Sequence, residues 1–327
     1  MRNITFAAAT MEAMEETMAK DPKIFVMGED IVKQGGIFGQ FKGLADEFPG
    51  RVIDTPISET FIVGGGVGAA LAGARPVVDL HYADFLGVCM DEVFNQMAKV
   101  RYMFGGQAKV SMVLRAPDGF MGLGAAQHSQ YTDAWFMSIP GIKVVSTSNA
   151  YDAKRVLKAA IESDDPIIYF ENKTLMKESF EVPEKSEEEQ YEIGKGKLVS
   201  EGTDVTIVSY SMGMKYALET ADILRKKNIN AEVIDLISLS PWDRELVFSS
   251  AAKTHHLCIM HEAVKQGGVG AEIAAAAAEE IFGELHGPVL RYGAPFCPVP
   301  FSPALEKNVH LVPEKIAEDI IWQLKGM

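Results

Sequence analysis

Short apolar runs rich in β-branched residues alternate with segments of helical spacing along almost the whole chain. The runs predict strands at 24–27 (IFVM), 52–54 (VID), 76–80 (PVVDL), 110–114 (VSMVL), 143–146 (KVVS) and 167–170 (IIYF). The rhythm resumes with strands at 205–210 (VTIVSY), 231–236 (AEVIDL), 256–260 (HLCIM) and 289–292 (VLRY). Helical spacing covers 61–73, 85–103, 129–138 and 150–163, then 213–228, 241–252, 268–282 and 313–325. Such alternation predicts an α/β fold of open, mostly parallel sheets covered by helices on both faces.

The rhythm breaks over 173–203. Residues 177–192, KESFEVPEKSEEEQYE, carry seven glutamates, a proline and few apolar side chains. A segment with so little to bury reads as a solvated linker. The expected division is therefore a domain at 1–176, an acidic linker at 177–203 and a second domain at 204–327. A length of 327 residues suits two domains.

Composition narrows the partners. With 31 Lys and Arg against 45 Asp and Glu the formal charge is −14, which repels polyanions. Neither nucleic acid nor a membrane is an expected partner. Cys89, Cys258 and Cys297 are odd in number and lie far apart, which argues against a disulfide framework or a structural zinc site. The N-terminal stretch lacks the features of a signal or transit peptide, and no apolar run approaches a membrane span. A cytoplasmic protein is expected.

Several residues suggest chemistry. Gly64–Ala70 contains a G-x-G-x-x-A match, with two readings: a phosphate cradle for a nicotinamide cofactor, or a helix whose small-residue face permits close packing. The second cluster, Gln266–Ala271, lies between a predicted strand and a predicted helix, a better place for anion binding, but lacks the full motif. His261-Glu262 begins a zincin-like motif that Lys265 breaks. His128 follows a glycine-rich loop after a strand, where open α/β sheets keep their chemistry. Glu29, Asp30, Glu59 and Asp84 fall near strand ends, where acids also serve as helix caps. Glu59 stands out because it precedes a Gly/Ala-rich helix that reads as buried. A carboxylate there pairs with a cation or has a raised pKa.

In order, VMGED (26–30), FPGRVIDTPISE (48–59), DFLG (84–87), NQMAKVRYMFGG (95–106), AAQHSQ (125–130), PGIKVVSTSNAYDAK (140–154) and DDPIIYFENK (164–173) form a recognisable series. VIDLISLSPWD (233–243), HEAV (261–264) and PVPFSPALE (298–306) continue it. The series resembles the β subunit of the thiamin-diphosphate-dependent dehydrogenase component of 2-oxo acid and acetoin dehydrogenase complexes. The resemblance runs nearly end to end. It implies a transketolase-like pyrimidine-binding domain followed by a transketolase C-terminal domain.

By that resemblance Glu59 hydrogen-bonds the aminopyrimidine ring nitrogen of thiamin diphosphate and favours the imino tautomer that activates the thiazolium carbon. Phe85 stacks on the pyrimidine. His128 orients substrate and moves protons during acyl transfer to lipoamide. Glu29 matches an acid that links the two active sites of the assembly. A potassium loop would map to Met112, Ala160, Ile161, Ser163 and Asp165, with Ser163 in place of a usual aspartate. The sequence lacks the GDG and following Asn pair that hold Mg2+ and the diphosphate. In two-chain members an α subunit supplies them, so the expected assembly is an α2β2 heterotetramer served by a lipoyl-bearing dihydrolipoyl acyltransferase core. RYMFGG and PVPFSPALE lean toward acetoin, with pyruvate and branched-chain 2-oxo acids open. A nicotinamide-dependent oxidoreductase and a non-catalytic scaffold subunit are the competing readings.

Overall fold

The computed structural model describes residues 1–184 and 189–326. Eight strands lie within residues 1–184: β1 (Arg2–Thr5), β2 (Ile24–Gly28), β3 (Val52–Asp54), β4 (Arg75–Asp79), β5 (Val113–Asp118), β6 (Lys143–Ser146), β7 (Ile167–Asn172) and β8 (Ser179–Val182). Six follow: β9 (Lys197–Ser200), β10 (Val205–Ser209), β11 (Ala231–Asp235), β12 (Ser238–Ser240), β13 (Leu257–Val264) and β14 (Leu290–Ala294). The first large sheet has the order β12-β6-β7-β5-β4-β2-β3, parallel except for the edge strand β12. The second has the order β14-β13-β10-β11-β9, parallel except for β9.

Both faces of the first sheet are apolar, as a central parallel strand requires. Val78, Leu114 and Ile168 enter the core on one face, and Val77, Val113 and Ile167 enter a separate core on the other. Helices Phe6–Lys20 and Ala150–Glu162 cover the second of these faces. Helix Glu59–Leu71 covers the first through Ile62, Val63, Gly66, Val67 and Ala70.

The glycines of that helix explain its closeness to the sheet. A Cβ on Gly66 would stand 2.6 Å from Val78 Cγ1 and 3.1 Å from Met112 Cε. Gly64, Gly65, Gly66 and Gly68 all lie inside the helix, away from any strand-to-helix turn. The phosphate-cradle reading is corrected accordingly, since that motif needs a strand ending at its first glycine. Gly268, by contrast, N-caps helix Val269–Glu280 just beyond β13.

Other expectations shift. The helix predicted at 85–103 is broken into a 3-10 turn (Ala83–Gly87), a π-helical segment (Glu92–Met97) and a short helix (Val100–Met103). The helix predicted at 129–138 contracts to Asp133–Met137. The stretch read as linker is structured at both ends: Ser179–Val182 pairs with β1, and Lys197–Ser200 edges the second sheet. Part of it, 185–188, lies outside the described residues. Ser238–Ser240, from the second half of the chain, completes the first sheet beside β6. Pairing of the backbone supplies what these polar segments lack in apolar burial.

The C-terminal end of the first sheet carries buried charge. Arg115 and Glu171, both fully buried on adjacent strands, form a two-pronged pair at 2.8 and 2.7 Å, with the Arg115 guanidinium 4.7 Å from the Phe41 ring centre. Asp79 beside them is fully buried. Burial pushes its carboxyl up to about 8; Arg115 opposes the shift and Glu171 adds to it.

Two outcomes follow for stability. Gly66→Val forces a branched side chain against Val78, and the expected cost is about 1–3 kcal/mol by denaturant titration; an unchanged midpoint would refute the close packing. Asp79 keeps its proton when folded and loses it when unfolded, so its contribution is full below the unfolded value of 3.8 and is lost as pH rises toward 8. Asp79→Asn should therefore gain on the wild type between pH 5 and 8, and a pH-independent difference in urea midpoint would contradict this.

Candidate active site

Loops leaving the C-terminal ends of β2, β4, β5 and β7 converge, as the topology of open parallel sheets leads one to expect. Glu29 directly follows β2. His81, two residues past β4, donates from Nε2 to the Glu29 carbonyl at 2.8 Å, which leaves Nδ1 facing the Glu29 carboxyl at 3.5 Å. Burial raises the Glu29 pKa; His81 opposes the rise, and the charges of Asp30 and Glu59 add to it. Glu59, half-buried in the first turn of its helix, is thus brought into the field of Glu29. Two carboxyls that share a field resist ionising together.

Aromatic rings form the adjoining wall. Phe85 lies in the 3-10 turn after β4, and its ring centre is 6.0 Å from Tyr82 and 5.7 Å from His128, edge to face in both cases. Tyr82 meets the His128 imidazole edge to face at 4.9 Å. Phe85 and His128 are each partly exposed, so a flat ligand has faces to rest on.

His128 rides on the loop between β5 and helix Asp133–Met137. That loop bends through left-handed backbone at Gly119, Gly122, Leu123 and Ala125. A Cβ on Gly119 would meet Asn172 Nδ2 at 2.2 Å, so glycine is required there. The second domain clamps the same loop: Glu306 accepts from the backbone N–H of Gly122 at 3.2 Å and of Leu123 at 3.3 Å. Between the domains Tyr131 donates to Glu262 and Tyr210 donates to Asp133. Burial raises the Asp118, Asp133, Tyr131 and Tyr210 pKa values.

The structure therefore brings Glu29, Glu59, Phe85 and His128 to one edge. The loop named for potassium lies elsewhere, at the opposite end of β4 and β5. The carbonyls of Ile161 and Ser163 accept from Arg75 Nη1 at 3.1 and 2.9 Å. The Met112 carbonyl accepts from Ile167 N–H at 3.0 Å and the Ala160 carbonyl from Ser163 N–H at 3.3 Å. Asp165 pairs with Arg101 and, at 3.0 Å, with Lys143. Asp164 pairs with Arg75 at 2.8 Å and Lys109 at 2.5 Å. Four basic side chains answer these two carboxylates, and Arg75 donates to two of the loop carbonyls.

Sequence reasoning gave His81 and Tyr82 no definite role and missed Glu306. His81-Tyr82 follows a strand end directly, which is the signal that was present; Glu306 offered none, because its partners lie over 180 residues away.

Comparison with known proteins agrees with this architecture. Residues 2–178 match the family "Transketolase, pyrimidine binding domain", and residues 194–316 match "Transketolase, C-terminal domain". The chain is 43% identical over 330 residues to the acetoin:2,6-dichlorophenolindophenol oxidoreductase subunit beta of Bacillus subtilis (strain 168), covering 96% of this chain and 95% of that one. It is 41% identical to the mitochondrial pyruvate dehydrogenase E1 component subunit beta-1 of rice, Oryza sativa subsp. japonica, covering 99% and 86%. It is 42% identical to the pyruvate dehydrogenase E1 component subunit beta of Rickettsia felis, covering 93% of each. Among solved structures, a split-gene transketolase described as an inactive beta4 tetramer superposes with a TM-score of 0.80 at 26% identity, covering 98% of both chains. Two transketolase-type domains in this order, matched along nearly their full length, place the chain in the family of acetoin and pyruvate dehydrogenase E1 β subunits.

Proposed function

We propose that this chain forms, with an α subunit, the active site of a thiamin-diphosphate-dependent dehydrogenase that cleaves acetoin or a 2-oxo acid and passes the acyl group to lipoamide. The observation that carries this reading is the convergence of Glu59, Glu29, Phe85 and His128 on one sheet edge in a chain of this family. The residues fit the pyrimidine half of the cofactor: a carboxyl beside its ring nitrogen and a partly exposed aromatic face against its plane. Thiamin diphosphate, when bound, supplies the carbon nucleophile and the electron sink for cleavage next to a carbonyl.

This chain's residues supply the proton handling. Glu59 holds a proton at the ring nitrogen of the cofactor. The Glu29 carboxyl, whose pKa is raised by burial, lies in the field of Glu59. Phe85 fixes the plane of the ring, and His128 moves a proton at the substrate oxygen during acyl transfer.

The diphosphate and its Mg2+ are assigned to the α subunit. Phe61 and Val88 are exposed beside Glu59 and Phe85, and Phe94, Tyr102, Met103 and Phe104, Tyr102 by 86%, extend the exposed apolar surface toward the opposite end of the sheet; this face supports a permanent partner. The assembly proposed is an α2β2 heterotetramer, working in the cytoplasm with a lipoyl-bearing acyltransferase core. Among the described residues no helix is long and apolar enough to cross a membrane. Acetoin is the favoured substrate.

Reconstitution with a candidate α chain tests the reading. Glu59→Gln and His128→Ala should each lower turnover by about 10²–10⁴-fold, with the β chain inactive alone. Near-wild-type turnover in both variants would favour the scaffold reading, and tight NADH binding by the isolated chain would favour the nicotinamide one. Potassium is not required in this proposal, because Arg75 serves the loop carbonyls. Exchange of potassium for choline at constant ionic strength should leave the melting temperature of the β chain unchanged; a clear fall would restore the cation site.

A further inference from the structure

An imidazole on an open loop serves chemistry only if its backbone is fixed. For His128 the structure provides a fixing group from a different strand. Lys173 directly follows Asn172, the last residue of β7, and its side chain is 0% exposed. Its ammonium donates to the His128 carbonyl at 2.7 Å. It also lies 3.4 Å from Asp84 Oδ2 and 5.1 Å from the centre of the Tyr82 ring.

Each of these contacts leads back to the same histidine. Asp84 accepts at 3.0 Å from both the backbone N–H and the side-chain Nε2 of Gln130, two residues further along the loop. The Tyr82 ring packs edge to face on the His128 imidazole. One buried cation thus holds the carbonyl of His128, the carboxylate that anchors Gln130, and the ring against the imidazole. Burying a lysine is costly unless it is paired. Asp84 is the direct partner; burial lowers the Lys173 pKa, and the neighbouring Asp84, Asp118 and Glu262 oppose that fall.

We infer that Lys173 is a positioning residue for His128, fixing the loop backbone and the Tyr82 ring so that the imidazole stands against Phe85. The inference rests on the role proposed above for His128. Lys173 itself reaches neither Phe85 nor Glu59 in the contacts described, so it acts through the histidine.

A double-mutant cycle on the reconstituted αβ complex tests this. The readouts are kcat and KM for acyl transfer to lipoamide and the Kd for thiamin diphosphate. Lys173→Met should lower kcat about tenfold to a hundredfold, with KM and the cofactor Kd changed by no more than about twofold. In a His128→Ala background the same substitution should cost less than about twofold, since the group it positions is gone. Losses that add in full, or wild-type kcat in Lys173→Met, overturn the inference. If Lys173→Met does not assemble, Lys173→Gln, which keeps a donor for the carbonyl, enters the same cycle and should recover part of kcat. Wild-type turnover in His128→Ala alone would instead sink the functional reading, so the two failures are told apart by which single variant stays active.

Discussion

Helix Glu59–Leu71 meets the sheet at Gly66, where there is no room for even one carbon beyond the backbone. Gly66 lies seven residues, two turns, after Glu59, so both occupy the same face of the helix. The depth at which the helix settles on β4 is therefore the depth at which the Glu59 carboxyl arrives. β2 lies beside β4 in the sheet and delivers Glu29 to the same level. The mutual field of the two acids is a consequence of helix-to-sheet distance, which the missing side chain sets.

Charge at the C-terminal end of the sheet is the second constraint. Arg115 with Glu171, on the neighbouring strands β5 and β7, and Lys173 with Asp84, beyond the ends of β7 and β4, are buried pairs. Such pairs contribute little net stability but are costly to break, so they resist displacement. The first pair faces the core beneath helix Phe6–Lys20, where Thr10 accepts from Arg115. The second faces the site. One edge thus carries a structural ion pair and a pair bound to the active-site loop, close enough in sequence that Glu171 and Lys173 lie on one strand end.

The alternation of apolar runs and helical spacing made the two parallel sheets legible, because buried parallel strands must be apolar on both faces. It failed where backbone pairing takes the place of side-chain burial: β1, β8, β9 and β12 are short and half polar, and nothing in their pattern marks them as strands. Glu59 and His128 were legible from position, one ahead of a small-residue helix and the other in a glycine-rich loop. Phe85 had no signal of its own, and only the family resemblance supplied a role. Lys173 was hidden, since a lysine after a strand ordinarily points to water, and only the fold shows that it points to His128. The potassium loop is a different case: its residues match a pattern, and only the fold shows that Arg75, distant in sequence, donates to two of its carbonyls.

The edge strand Ser238–Ser240 has an implication for how this chain can be recombined. A join placed in the acidic segment would seem to respect the boundary between two modules. It would, however, give the seven-stranded sheet an edge strand inherited from the other parent, set against Val144 and Val145 of the first. The heritable unit that carries the site is discontinuous, and a viable exchange between relatives would have to move residues from both sides of the apparent seam together.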